Sequence, residues 1–197
     1  MPKGIPLTQA EFEGRRHEIS ETAVRLFIEN GFNETSMRQI ASALGMGKST
    51  LYDYFSSKDD IFVYVIHEHL MVLTQRAQAI MAEDGDPADQ LHKIMKMHLA
   101  FLLENRAIYL RLLFEAQRLK AESQQLIQEY RYAYQDLIKS LIDTGIQLGC
   151  FRQVDSTIAM KTLLTMMTPV VFTSRPSGTT DEMLEDALDL IMNGLRP

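Results

Sequence analysis

The chain has 197 residues, 46% of them hydrophobic, and a formal net charge of −6, a size and make-up that fit one large or two small globular domains with a real core. It contains no run of 18 apolar residues, which excludes a helical membrane span, and its single cysteine, Cys150, excludes an intrachain disulfide and a cysteine metal cluster. Residues 1–7 carry Pro2, Lys3, Gly4 and Pro6 without an apolar core, so no secretory signal is expected and a reducing cytoplasm is the expected compartment.

Net acidity argues at first against a nucleic-acid partner. The charge is unevenly spread, however. Residues 1–58 hold seven Lys/Arg and seven Asp/Glu, whereas residues 59–197 hold 13 and 19. Between 36 and 58 there are three cations, Arg38, Lys48 and Lys58, against one anion, Asp53. An acidic body behind a weakly basic tip limits non-specific DNA binding and favours a few placed contacts.

Almost every segment has helical periodicity, and no alternating strand pattern persists. Thr8 with Glu11 predicts a capping box for a first helix. Its apolar face is Ile19, Ala23, Leu26 and Phe27, and it ends at Asn30-Gly31, although Gly14 weakens its first turns. Ser36 with Gln39 predicts a second capping box, opening a short helix with Met37, Ile40, Ala41 and Leu44 inward, broken by Gly45. A second short helix runs from about Lys48 to Tyr54. Ser56 to Asp60 caps a long helix reaching about Ala82.

Asp84-Gly85-Asp86-Pro87 is a clear break. The next helix shows Leu91, Ile94, Met95, His98, Phe101 and Leu102. The nearly continuous apolar run 108–114 predicts a helix buried on most sides. A long helix from about Ser123 to Leu148 stops at Gly149. Two more follow at about 155–174, where Pro169 is expected to kink the helix, and at 180–195.

Two helices of about seven residues joined by a glycine-containing turn match a helix-turn-helix. Neither is stable alone at that length, so both need the first helix as platform, with Phe27, Phe32, Ile40, Leu44, Leu51 and Phe55 as a small core. The second has the make-up of a groove-inserted helix. Lys48, Ser49, Thr50, Tyr52 and Tyr54 supply donors, and Ser49 is small enough for close backbone approach. The predicted architecture is all-α, with three short helices over residues 1–57 and about six longer ones over 58–197.

The ordered string Phe27, Gly31-Phe32, Thr35-Ser36-Met37, Ile40-Ala41, Leu44-Gly45-Met46-Gly47-Lys48-Ser49-Thr50-Leu51-Tyr52, Tyr54-Phe55 and Ser57-Lys58 resembles the TetR family of transcriptional regulators over about residues 15–62. That resemblance implies a double-stranded DNA operator as partner. Arg38 would reach a base or phosphate, and Lys48, Ser49 and Thr50 would face the major groove. Tyr52 and Tyr54 would hold phosphates through their hydroxyls, Lys58 would pair with another, and Ser36 would present its hydroxyl and nearby amides to one more. Two positions depart from the family. Asp53 stands where a neutral residue or histidine is usual, and Gly47 replaces a small hydroxyl residue.

For residues 58–197 the resemblance implies a small-molecule effector pocket among the middle helices and a homodimer formed by the last two, suited to a palindromic operator. Pocket candidates are sparse polar or aromatic groups on apolar faces: His69, His98, Phe101, Tyr109, Phe114, Tyr130 and Tyr134. Interface candidates are Leu163, Met167, Val170, Val171, Leu184, Leu188, Ile191 and Met192, because the run 163–172 is more apolar than one buried stripe requires. Repression relieved by an effector is the function this implies. The alternative is a constitutive DNA-binding or partner-recruiting protein whose second half only dimerises. No metal-ligand spacing, phosphate-binding glycine loop or nucleophile motif is present, so neither an enzyme nor a metal site nor a cofactor is expected. His67 and His69, two residues apart, point to different helix faces.

Overall fold

The computed structural model describes residues 8–195, with the side chains of 111–114 outside the description. Nine α-helices and one short 3-10 turn make up the regular structure of the described residues: α1 (Gln9–Asn30), α2 (Met37–Ala43), α3 (Lys48–Tyr52), α4 (Lys58–Met81), α5 (Pro87–Glu104), α6 (Arg106–Glu115), the 3-10 turn Ala116–Arg118, α7 (Ala121–Gln147), α8 (Ser156–Phe172) and α9 (Thr180–Leu195). The fold is all-α, with the helix-turn-helix pair followed by a multi-helix bundle.

Local chemistry sets the helix ends. Thr8 and Glu11 form the reciprocal capping box that starts α1, and the helix passes through Gly14 without interruption because the cap offsets the glycine's entropy cost of roughly 1 kcal/mol. Asp86 caps α5 with Pro87 in the first turn, where the missing proline N–H is no loss. α7 closes on Gly149 at φ +77°, and the amide of Cys150 reaches back to the Gly145 carbonyl at 2.8 Å, a Schellman arrangement that satisfies the last carbonyls.

Two compact units share the chain. The first comprises Met1–Glu68 with Ala107–Ile127, the second His69–Arg106 with Gln128–Pro197. Both α4 and α7 therefore contribute residues to both units. Packing thus divides the chain differently from the division by role at residues 57 and 58. In the first unit Ile19, Ala23, Ile40, Leu51 and Ile61 are fully buried. Phe32 packs against Phe27 at 4.9 Å and Phe62 at 5.3 Å between ring centroids. Leu44, expected in this core, is half-buried because it serves as the C-cap of α2. In the second unit α5, α8 and α9 pack together around Leu91, Ile94, Met95, Ile138, Leu163, Met167 and Leu188.

Candidate nucleic-acid interface and effector region

The α2–α3 pair is held by its caps. Ser36 and Gln39 form a capping box at the start of α2, with Gln39 N donating to Ser36 Oγ at 3.3 Å and Ser36 N to Gln39 Oε1 at 2.7 Å. At its end Gly45 adopts φ +62°. Its amide donates to Ser42 O at 3.1 Å, and the Met46 amide donates to Ala41 O at 3.0 Å. This double bond pattern needs a left-handed residue, which glycine supplies at little cost. The chain is thereby turned directly into α3. As the Gly47 substitution implies, α3 opens without a side-chain cap.

The residues expected at DNA all lie in the first unit. Arg38, Lys48, Ser49 and Thr50 are exposed, while Leu51 between them is fully buried and anchors α3. Tyr52 is 43% exposed, which settles it as a surface residue rather than a core one. The Lys48 ammonium lies 5.5 Å from the Tyr52 ring centroid, a distance at which the ring face attracts a cation. Asp53 is exposed at the far end of α3 as its C-cap. Tyr54 is half-buried, its ring stacked on Phe12 of α1 at 4.9 Å.

Two cations make contacts within the protein. Lys58 is half-buried and donates from Nζ to the carbonyls of Phe32 at 2.5 Å and Asn33 at 3.3 Å. Arg16, which no periodicity singled out, places its guanidinium 4.3 Å from the Tyr64 ring and 4.8 Å from the Phe55 ring, joining α1 to α4. A charged residue in a solvated stretch of α1 gives no sequence signal for such a role, because the two rings it meets lie about 40 and 50 residues away in sequence.

Four of the seven effector candidates meet in the second unit. The ring of His69 on α4 contacts Phe101 on α5 edge-on at 5.3 Å. One turn earlier on α5, His98 Nδ1 and the Tyr134 hydroxyl on α7 are 2.9 Å apart. His98, Phe101 and Tyr134 are buried. Burial pushes His98 down to about 4 and lowers His69 as well, so both rings are neutral at pH 7 and act as hydrogen-bonding groups rather than charges. Arg76 reaches to 5.9 Å from the Phe101 ring. Tyr130, also in the second unit, and Tyr109, in the first, are half-buried. The side chain of Phe114 lies outside the described residues.

A cavity of about 310 Å³ lies elsewhere in the second unit, lined by Asp86, Asp89, His92, Cys150, Glu185 and Asp189 among others. None of the effector candidates borders it. Among the described residues no group of three or more His, Cys, Asp or Glu is arranged to hold a metal ion, and no helix is long and apolar enough to cross a membrane.

Of the eight interface candidates, Leu163, Met167, Val170, Val171, Leu184 and Leu188 are buried within the single chain, and Ile191 and Met192 are half-buried. The outward apolar groups on these two helices are Ile158, 63% exposed, and Leu190, 76% exposed.

Comparison with known proteins agrees with this arrangement. The model described as "Bacterial regulatory proteins, tetR family" matches residues 19–65, and that described as "Tetracyclin repressor-like, C-terminal domain" matches 84–195. An HTH-type transcriptional regulator of Staphylococcus aureus is 34% identical over 129 residues, covering 64% of this chain and 68% of the relative. A solved TetR/AcrR-family regulator from Thermobifida fusca superposes with a TM-score of 0.74 at 29% identity, covering 93% of this chain and all of that one. FadR from Bacillus subtilis, solved in complex with stearoyl-CoA, has the same fold with a TM-score of 0.80 at 21% identity, covering 91% of this chain and 99% of that one. With the helix-turn-helix and the helical second half each matched in place, the chain belongs to the TetR family of helix-turn-helix transcriptional regulators.

Proposed function

We propose that this protein is a repressor that binds a palindromic operator as a homodimer and is released from it by a small-molecule effector. The observation that carries the reading is the α2–α3 surface, where exposed Arg38, Lys48, Ser49, Thr50 and Tyr52 stand on a buried platform that could not persist without DNA-independent packing. Lys48, Ser49 and Thr50 enter the major groove, and Tyr52 and Tyr54 grip flanking phosphates with Arg38 and the Ser36 end of α2. The two copies meet along α8 and α9. Exposed Ile158 and Leu190 supply apolar contact there, and the buried leucines and methionines beneath keep the surface rigid.

The effector enters the apolar middle helices and meets the polar pair His98 and Tyr134 beside Phe101 and His69. The stearoyl-CoA held by the Bacillus subtilis structure, and the name "Fatty acid metabolism regulator protein" borne by a relative 24% identical over 132 residues, make fatty acyl-CoA the first effector class to test. Binding works by linkage: an effector that prefers one arrangement of the helices shared by both units disfavours the other, and a coupling of about 1–3 kcal/mol weakens operator binding roughly 5- to 150-fold.

The test is selection of bound duplexes from a random library, then operator titration of the full-length protein with and without long-chain acyl-CoA. A palindromic winner released by acyl-CoA supports the whole reading. A palindromic winner unaffected by any acyl-CoA that binds the protein would refute this effector class, and no enriched duplex from folded, ligand-free protein would refute operator binding itself.

A further inference from the structure

The matched family segment starts at residue 19, but α1 starts at Gln9, so residues 9–18 carry no role taken over from the family. They are nevertheless built into the reading head. Phe12 stacks on Tyr54 with 4.9 Å between ring centroids and 27° between ring planes. Arg16, one turn further on, reaches the rings of Phe55 and Tyr64. Arg15 stands three residues after Phe12, a spacing at which helix side chains are neighbours. It is exposed, whereas Phe12 and Arg16 are half-buried. Glu18 holds the Arg15 pKa above the usual arginine value, and Tyr54 acts in the same direction. A permanent cation thus stands in solvent beside the Tyr54 hydroxyl.

The partner that Arg15 already has does not exhaust it. Its Nη1 bonds Glu18, but the two side chains are 46% and 52% exposed, and an ion pair so solvated is worth little and rearranges at low cost. A guanidinium carries several N–H groups in a planar fork that matches a phosphate, so it can hold a carboxylate and a phosphate together. The other acids of these turns are engaged elsewhere. The Glu11 carboxylate accepts from the Thr8 amide at 2.8 Å, and that of Glu13 lies 3.5 Å from Arg16 Nη1. A tyrosine hydroxyl and a guanidinium side by side form a donor pair for one phosphate group, with the arginine supplying the stronger, charge-assisted bonds.

We propose that Arg15 is a phosphate contact of the operator complex, so that the first turns of α1, ahead of the family-matched segment, take part in holding DNA next to Tyr54. The proposal rests on the operator-binding reading above and adds to it a residue of α1.

Three full-length variants, Arg15→Ala, Arg15→Lys and Arg25→Ala, are titrated across a salt series with the selected operator, or with one fixed unrelated duplex if no operator is selected, since a phosphate contact is indifferent to sequence. Arg25 is also exposed on α1 and its loss changes the net charge equally, but it lies roughly 15 Å further along the helix, beyond the screening length of about 8 Å at physiological salt. Arg15→Ala should weaken binding about tenfold or more, the worth of one charge-assisted hydrogen bond, and make the slope of log affinity on log salt shallower by about 0.9 per reading head. Arg15→Lys should keep the parent slope, because it keeps the charge, and Arg25→Ala should keep both slope and affinity. A parent-like slope in Arg15→Ala, an equal change in Arg25→Ala, or a slope in Arg15→Lys as shallow as in Arg15→Ala each overturns the proposal while operator binding stands. A parent protein that binds neither duplex overturns the operator reading and this contact with it.

Discussion

Replacing His98 with leucine should make the protein's stability less sensitive to acid. In the parent, burial holds the His98 ring at about 4, against about 6.5 in the unfolded chain. Between those two pH values the unfolded state binds more protons than the folded state, so stability falls as pH falls through the window and the loss is complete below it. The full shift is worth about 3 kcal/mol, of which about 2 kcal/mol is lost between pH 7.5 and pH 5. The leucine variant has no such slope. At neutral pH it also lacks the 2.9 Å bond between His98 and the Tyr134 hydroxyl, at a cost of about 1–3 kcal/mol. The stability gap between parent and variant should therefore narrow by about 2 kcal/mol as pH drops from 7.5 to 5. Urea unfolding at fixed protein concentration measures both values. His69, which burial also holds low, is present in both proteins and cancels from the difference. A gap that stays constant or widens towards acid would refute the assignment of His98 as a buried neutral ring.

Other changes separate the parts of the molecule. Lys48→Ala should weaken operator binding by about 1–3 kcal/mol and relax the preference at the base pair it meets in the major groove, in a binding assay against single-base operator variants. Ser36→Ala removes the acceptor for the Gln39 amide and should cost about 1 kcal/mol of stability by denaturant melting, with a loss of operator affinity larger than that of a Ser42→Ala control on the same helix. Gly145→Ala would bring a new Cβ within 2.3 Å of the Phe151 ring. Overpacking of about 1–3 kcal/mol should outweigh the better helix propensity of alanine and lower the melting temperature by a few degrees.

Features set by neighbouring residues were legible in the sequence. The capping boxes at Thr8 and Ser36, the stop at Gly45 and the break at Asp84-Gly85-Asp86-Pro87 each depend on residues within a few positions, so the local sequence locates them. The exposed start of α3 was legible for the same reason: Lys48, Ser49 and Thr50 follow a glycine turn and precede the buried Leu51. What depends on distant partners was not. Periodicity shows that Leu163, Met167, Leu184 and Leu188 form apolar faces, but not whether this chain or a second copy covers them, and the chain's own helices bury all four. Lys58 reads as a basic residue beside a DNA-binding helix because nothing near it in sequence reveals the two carbonyls it meets 25 and 26 residues back. Arg16 is silent for the same reason, since Phe55 and Tyr64 come to it only in the folded state.

The composition of the two units bears on protein engineering. Ala107–Ile127 packs with the N-terminal helices, and one visible tether is the Lys120 amide, which donates to Asp59 Oδ2 at 3.1 Å. A chimera that grafts residues 1–57 onto a foreign sensor discards that segment along with the start of α4, and leaves apolar surface on the reading head bare to solvent. A biosensor built from this chain should instead keep residues 1–68 and 107–127 together and vary what lies between and after them. Its design unit is then two stretches of sequence read as one part.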